Sequence, residues 1–408
     1  MAGILFITNT FPFLTGEQFI ETEIKYLAGS NNQVTVFPLT IGGEARIVPS
    51  NIKLDTRLSS CNNFSLKTII NLLFSKYLYL EILFKPEVLF SFYKFKKTLF
   101  YIYAGENIAH KLTEFIKKPK EENILIYCYW ANQSALAAAI LKENIPTICA
   151  VTRCHRYDLY RERNHGGFMP MEMRFLNSLD AIFPCSRNGA DYLAHEYNIA
   201  QRKTHTARLG TYDYGSGAGF NEEKILHIVS CSYAIPVKRL HLIIEALSLL
   251  KIDRQVIWTH IGDGPQLDVL KDDANRKLQT VSVIWKGGLA NKEVISFYKT
   301  HKVDCFVNVS SSEGIPVSIM EAISFGIPIV ALDVGGVSEI VSQNNGELLR
   351  SNATAREIAE AITYVGQRNS DKFRMLVKKQ WCDKYSAAKN YPEFLLMLDQ
   401  LKNRQGDG

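Results

Sequence analysis

The stretch SSSEGIPVSIMEAISFGIPIVALDVGG, residues 310–336, decides how this chain is read. It follows one apolar run, DCFVNVS (304–310), and leads into another, IPIVAL (327–332). Apolar runs without polar alternation mark strands buried on both faces, as in parallel sheets. Between the two runs Ser310, Ser311 and Ser312 turn the chain. Pro316 suits the first turn of a helix, where its missing N–H costs nothing. Gly326 ends that helix and Pro328 stops it from continuing. The stretch therefore predicts strand, helix, strand.

The start of that helix carries chemistry. The backbone N–H groups of Val317, Ser318 and Ile319 are expected to lack helical partners, and with the helix dipole they form an anion site suited to phosphate. Gly314 lets a ligand approach the backbone. Glu313 lies in the loop before the helix and Glu321 one to two turns inside it. A carboxylate is an acceptor only and binds vicinal hydroxyls well. A phosphate seat with a hydroxyl reader on each side fits a nucleoside diphosphate sugar, with Glu321 on the ribose and Glu313 on the sugar. The plainer alternative makes Glu313 a capping acid and Glu321 a solvated helix residue. The second glycine turn, Gly335-Gly336, and the position after a buried strand speak against it.

Working outward, the same alternation covers the chain. ILFIT (4–8) reads as a first strand and EQFIETEIKYLA (17–28) as its helix. QVTVFPL, ILIYCYW (124–130), TICAVT (147–152) and AIFPCS (181–186) continue the pattern, with an alanine-rich helix, NQSALAAAILKEN, among them. TYDYGSGAGFNEE (211–223), rich in Gly and Ser and without apolar periodicity, reads as a flexible joint. The alternation then restarts at ILHIVSCS (225–232). Two runs of strand–helix units predict an α/β protein of two doubly wound domains. These are an N-terminal domain over 1–212, a second over 213–380, and a tail, 381–408, packing back towards the first. Ligands of such sheets bind at the carboxyl ends of the strands, and the expected place is a cleft between the domains.

Composition narrows the class. Eight cysteines, at 61, 128, 149, 154, 185, 231, 305 and 382, form no CxxC pair, so they read as reduced thiols and not as a disulfide scaffold or a metal site. The N-terminus MAGILFITNTFPF lacks a basic region and a long apolar core, so it does not read as a signal peptide. The expectation is a cytoplasmic chain, peripheral at most on a membrane face. The net charge of +6 is concentrated in residues 65–120, where ten lysines face four glutamates among many Phe, Tyr, Leu and Ile. That mixture suits helices lying on an anionic membrane; it equally suits a helical excursion packed on its own domain with its lysines in water. No arginine-rich patch or nucleic-acid motif is present, so nucleic acid is not an expected partner.

With these residues in view, EGIPVSIMEAISFGIPIVALDVGGVSEIV (313–341) resembles the E-x7-E region of glycosyltransferase family 4. That group is retaining and has the GT-B fold of two Rossmann-like domains facing across a cleft. NTFPFLTGEQFIETEIKYL, RCHRYDLY, ARLGTYD, HIGDGPQLDVL and WKGGLANKEVISFY agree with it in order, in the variant of exopolysaccharide and O-antigen enzymes. The resemblance implies that Glu313 meets sugar hydroxyls and Glu321 the ribose, and that Gly314, Ile315, Pro316 and Val317 make backbone contacts to the donor. It implies that Lys238 neutralises the diphosphate, that Leu289 lies beside the base, that Gly16 approaches the donor phosphates and that His155 is the catalytic-site histidine. Asp158 reads as a residue that orients local backbone or Arg156.

One departure concerns the cationic clamp. Five residues before Lys238, where the family commonly has arginine, stands Tyr233. Arg239 reads either as a donor-binding replacement or as a surface residue. The resemblance implies transfer of a sugar from a nucleotide donor, UDP- in preference to GDP-, to a glycan or lipid-linked acceptor. Configuration would be retained, and neither metal nor other cofactor is called for. Two alternatives remain: a sugar-nucleotide 2-epimerase, and a non-catalytic glycan-binding partner of a transferase, which Tyr233 keeps open.

Overall fold

A computed structural model describes residues 3–14, 16–60, 72, 74–116, 124–221 and 224–403. Lys67, Lys117, Lys118 and Lys120 of the basic segment, and Cys61, lie outside the described residues. The chain divides into two units, Met1–Ala207 with Tyr391–Gly408, and Arg208–Asn390. The sequence reading drew the joint at 212/213 and started the returning tail at 381. The helix Asp371–Lys384 belongs to the second unit, and only from Tyr391 is the last helix counted with the first.

In the first unit six parallel strands form one sheet: β1 (Gly3–Thr8), β2 (Gln33–Pro38), β3 (Lys53–Leu54), β4 (Leu125–Cys128), β5 (Cys149–Cys154) and β6 (Ala181–Pro184). Their order is β3-β2-β1-β4-β5-β6. The strands lack polar alternation because helices cover both faces. In β1, Ile4 and Phe6 enter one core while Leu5 and Ile7 enter another; in β4, Leu125 and Tyr127 part from Ile126 and Cys128 in the same way. The helix Gln133–Asn144 is buried almost throughout, and its alanines allow close packing. Against it lies the helix Phe92–Ile116, whose Gly105 leaves room for Leu136: a Cβ there would stand 2.8 Å from Leu136 Cδ2.

The second unit repeats the plan with β7 (Ile225–Cys231), β8 (Gln255–Ile261), β9 (Val281–Trp285), β10 (Cys305–Asn308), β11 (Ile329–Leu332) and β12 (Gly346–Leu349). The order is β12-β11-β10-β7-β8-β9, again all parallel. Counted within each unit, both sheets read 3-2-1-4-5-6, the doubly wound Rossmann order. The edge strand β9 departs from the buried type, since Ser282 and Ile284 are exposed. Two strands escaped the sequence reading. β3 is only Lys53–Leu54, and β12 is a half-exposed edge whose Gly346 and Glu347 carry no strand signal.

The Gly/Ser-rich segment has no regular structure over 212–221, as its composition predicts, but it is anchored. Tyr214 stacks on Phe325, Asp213 pairs with Lys378, and Thr211 exchanges backbone hydrogen bonds with Tyr385 and Ala387. Among the described cysteines, Cys128, Cys149, Cys154 and Cys305 are buried thiols, whereas Cys382 is exposed.

Candidate functional site

In a doubly wound sheet the loops at the carboxyl ends of the strands part where the strand order reverses, and ligands bind there. In the second unit this point lies between β7 and β10. The loop after β7 runs through a 3-10 turn, Pro236–Lys238, and the loop after β10 carries Glu313. The two loops are joined by the Ser311 N–H, which donates to the Val237 carbonyl at 2.8 Å. Lys238 Nζ then donates to Glu313 Oε1 at 2.5 Å, with both side chains largely out of water. The two charges that the sequence reading assigned to diphosphate and to sugar thus hold each other.

The Gly335-Gly336 turn supports this pair. Gly335 has φ 56°, and a Cβ on it would fall 1.9 Å from the Glu313 carbonyl oxygen; one on Gly336 would fall 2.9 Å from that of Gly314. The second glycine turn of the opening stretch is there because the backbone of the first must lie against it.

The helix begins at Val317 and ends at Ser324, with Pro316 in an extended conformation at its cap. One expectation needs correction. The Ile319 N–H is not free: it bonds the Pro316 carbonyl at 3.2 Å, as does that of Met320. Proline at the cap lends its carbonyl to the first turn, so the unbonded pair at the helix end is Val317 and Ser318. Neither amide has an acceptor among the described residues. At the other end Gly326 donates to Ile323 and Ile327 to Ala322, which closes the helix as Gly326 and Pro328 predict.

Glu321 is buried, not solvated. Asn291, first residue of the helix Asn291–Thr300, donates to its Oε1 at 2.5 Å. Burial pushes the Glu321 carboxyl up to about 7, while the Asn291 amide pulls it down. The buried Tyr298, whose hydroxyl has no partner among the described residues, feels the same charge. Asn291 was missed by the sequence reading. Its signal is faint: a polar residue just after the glycine turn Gly287-Gly288, in front of a helix. Leu289 sits half-buried in that turn.

Arg239 is held elsewhere. Its backbone is left-handed, φ 47°, and its guanidinium donates to the carbonyls of Val309, Ser310 and Ser351. It braces the loop after β10. Tyr233 is exposed.

In the first unit the corresponding reversal lies between β1 and β4. Gly16 is exposed with φ 110°, and its N–H donates to Gln18. The residue after it, overlooked in the sequence, organises the loop. The buried Glu17 carboxylate accepts the N–H groups of Asn9, Thr10 and Phe11, the Thr10 hydroxyl and the Trp130 indole. Three consecutive amides aimed at one point make an anion nest, and here the chain's own carboxylate fills it. His155 follows β5 and lies against Trp130 and Tyr129, with ring centroids 4.5 and 4.7 Å away. Neither ring nitrogen has a hydrogen-bond partner among the described residues; Nδ1 stands 4.0 Å from Asp158. Burial favours the neutral imidazole, but Cys185 and Asp158 outweigh it and raise the pKa. Asp158 orients backbone, accepting the N–H of both Ala131 and His155 at 2.6 Å.

Among the described residues no three His, Cys, Asp or Glu side chains gather as metal ligands would. A depression of about 360 Å³ beside Gly3, Gln33 and Lys53 lies at the amino ends of β1, β2 and β3, away from these loops.

Two Rossmann-like units with parallel six-stranded sheets define the class as GT-B, and the solved structures agree. The lipopolysaccharide outer core galactosyltransferase WaaB, in its apo form, superposes with a TM-score of 0.68 at 15% identity, covering 97% of this chain and 99% of its own. HepE of Anabaena in complex with UDP-glucose gives 0.65 at 14%, covering 98% and 100%. Residues 218–379, within the second unit, match the model of the family Glycosyl transferases group 1. Sequence relatives include the O-antigen biosynthesis glycosyltransferase WbnH of Escherichia coli, 42% identical over 91 residues, 22% of this chain and 24% of that protein. The putative colanic acid biosynthesis glycosyltransferase WcaL of Escherichia coli K12 is 28% identical over 160 residues, 38% and 39% of the two chains. The chain spans between about a quarter and a half of the curated relatives it matches.

Proposed function

We propose that the protein is a retaining glycosyltransferase of family 4. It moves a sugar from a nucleoside diphosphate donor, UDP in preference to GDP, to a hydroxyl of a glycan or lipid-linked acceptor in surface polysaccharide assembly. The observation that carries this reading is the group at the reversal of the second sheet: the Lys238–Glu313 pair, two unbonded amides at a helix start, and buried Glu321 beside Asn291. Relatives named for O-antigen and colanic acid synthesis support the class of product. Neighbours solved with UDP and UDP-glucose support the donor.

The physical account is an exchange of partners. On donor binding Lys238 turns from Glu313 to the diphosphate, and the Val317 and Ser318 amides add their dipoles. Glu313, released, accepts from sugar hydroxyls, and Glu321 from the ribose. Negative charge developing on the leaving diphosphate meets a fixed cation and fixed amides, which is electrostatic preorganisation. The leaving phosphate takes the proton of the acceptor hydroxyl as the new bond forms on the same face of the sugar. His155 acts near the reacting carbon and the acceptor. No step calls for a metal ion, and the work is done on the cytoplasmic side.

The test is a panel of UDP- and GDP-sugars, read first by thermal shift, since a preferred ligand raises stability by mass action, and then by turnover with acceptor. One donor should stand out. Proton NMR of the product should give the donor's anomeric configuration, and EDTA should leave the rate unchanged. Glu313→Gln should cut kcat by about a hundredfold or more. Glu321→Gln should raise the donor Kd by roughly tenfold. Should Glu313→Gln and Glu321→Gln bind and turn over every donor like the parent, the assignment fails.

A further inference from the structure

We propose that Glu17 is a positioning residue that sets the place of the His155 ring, acting through Trp130. The two oxygens of the Glu17 carboxylate do different work. Oε2 closes the loop after β1: it accepts the Thr10 N–H at 2.7 Å, the Phe11 N–H at 2.5 Å and the Thr10 hydroxyl at 3.0 Å. Oε1 accepts the Asn9 N–H at 3.1 Å and also the Trp130 indole N–H, from 113 residues further along the chain. Glu17 is 3% exposed. A carboxylate out of water is stable only when donors fill its lone pairs. The loop supplies the donors of Oε2 by itself, whereas Oε1 draws one from the end of β4. The side chain that shapes the loop therefore also fixes Trp130.

Trp130 in turn meets His155. A hydrogen bond to one ring nitrogen is the usual means of orienting an imidazole. Asp158 holds the His155 backbone N–H at 2.6 Å, but neither ring nitrogen has a hydrogen-bond partner among the described residues. Packing places the ring instead. Tyr129 stacks on it with centroids 4.7 Å and planes 29° apart, and Trp130 lies at 4.5 Å, tilted by 46°. Phe19, two residues after Glu17, stands 6.0 Å from His155 and meets Trp130 edge to face at 6.1 Å. Aromatic pairs accept a range of offsets and tilts, and a directional bond selects one. The Tyr129 hydroxyl has no partner among the described residues, and Phe19 has no polar side-chain atom. Among those residues the Glu17–Trp130 hydrogen bond is thus the only side-chain tether of the rings around His155. The inference rests on the transferase reading for what His155 does, and not for the tether. A Glu17 that only braced its loop would contribute stability and leave the His155 ring in place without it.

Glu17→Gln tests it. Glutamine keeps the length and one acceptor oxygen; with that oxygen on Thr10 and Phe11, its NH2 group faces the indole and cannot accept. NMR of the full chain, with nitrogen-15 in tryptophan indoles and carbon-13 in histidine rings, reads both ends of the tether without any donor. The Trp130 N–H signal is assigned by its absence in Trp130→Phe, and the His155 Cε1–H signal by its absence in His155→Gln. In Glu17→Gln both signals should move. In turnover kcat should fall by roughly tenfold or more, as misplacement of a site group predicts, while the Kd for UDP stays that of the parent. Trp130→Phe keeps a ring but loses the N–H and should fall likewise, and the double variant should fall no further, since it breaks one link twice. The proposal is overturned if the His155 signal of Glu17→Gln stays in place, or if Glu17→Gln turns over like the parent. If Glu17→Gln does not fold, Trp130→Phe carries the test, and parental activity there overturns the proposal. If the parent turns over no donor, the transferase reading fails, and the two NMR signals alone decide the tether.

Discussion

Glu321 shows how much a single residue owes to its surroundings. Its place in an E-x7-E pattern is plain in the sequence, but its proton affinity is not. Burial raises the carboxyl from 4.5 to about 7. Between these values the folded protein holds a proton that the unfolded chain has released, so stability of the ligand-free protein falls as pH rises through that window. The whole effect is on the order of 3 kcal/mol. Melting curves at pH 5, 6, 7 and 8 should show this decline in the parent and a flatter profile in Glu321→Gln; a constant gap between the two would refute it. Donor binding should run the other way. Hydroxyls bind the ionised form, so UDP affinity should rise with pH up to and through 7, and calorimetry across that range reads it. Lys238 and Glu313 were each singled out in the sequence as candidate site residues. Their mutual pairing was not, because it joins side chains 75 residues apart. Glu17 was passed over because its amide partners Asn9, Thr10 and Phe11 converge on it only through the fold of the loop after β1, and Trp130 reaches it only once β1 and β4 lie side by side.

At the scale of elements, punctuation was the legible signal. Pro316, Gly326 and Pro328 bracket the helix Val317–Ser324, and Gly210, which precedes the Gly/Ser-rich segment, lies against Ala387. The glycine turn at Gly335-Gly336 was read as part of the donor pattern, and its physical task is now visible. Gly335→Ala would drive a Cβ into the Glu313 carbonyl in a conformation that L residues rarely adopt. The Glu313 loop must then move while the sheet behind it stays. Binding of UDP-sugar should fall by about tenfold or more, whereas circular dichroism should change little. A variant that binds donor normally would mean that the loop has slack which the contact distances deny. The elements that went unread, β3 and β12, are short edges with little buried apolar surface. Periodicity has nothing to report where burial is incomplete.

For the whole molecule, the two sheets share one strand order, and each places its reversal beneath a carboxylate: Glu17 in the first, Glu313 in the second. The difference lies in what the carboxylate meets. Glu17 fills a nest of amides with no cation opposite among its hydrogen-bond partners, whereas Glu313 shares its loop with Lys238 and a helix start. The amide nest of the first unit is therefore taken, whereas the Val317 and Ser318 amides of the second have no acceptor among the described residues. Hydrogen exchange with and without UDP alone should slow in 232–240 and 309–324 and stay unchanged through β1 and β2. Protection confined to the first unit would place the nucleotide in the wrong half of the chain.

By itself the sequence determined two doubly wound units, the helix that follows β10, and the two acids that flank its start. These follow from local rules: which runs are apolar, where proline and glycine interrupt them, and which residues accept but cannot donate. Tertiary structure alone decided that Arg239 is spent on carbonyls, that Lys238 rests on Glu313, that Asn291 reaches Glu321, and that an acidic helix residue carries a neutral-range pKa. Each of these depends on distance through space and on exclusion of water, and both are set by the order in which strands pair, which no local stretch of sequence contains.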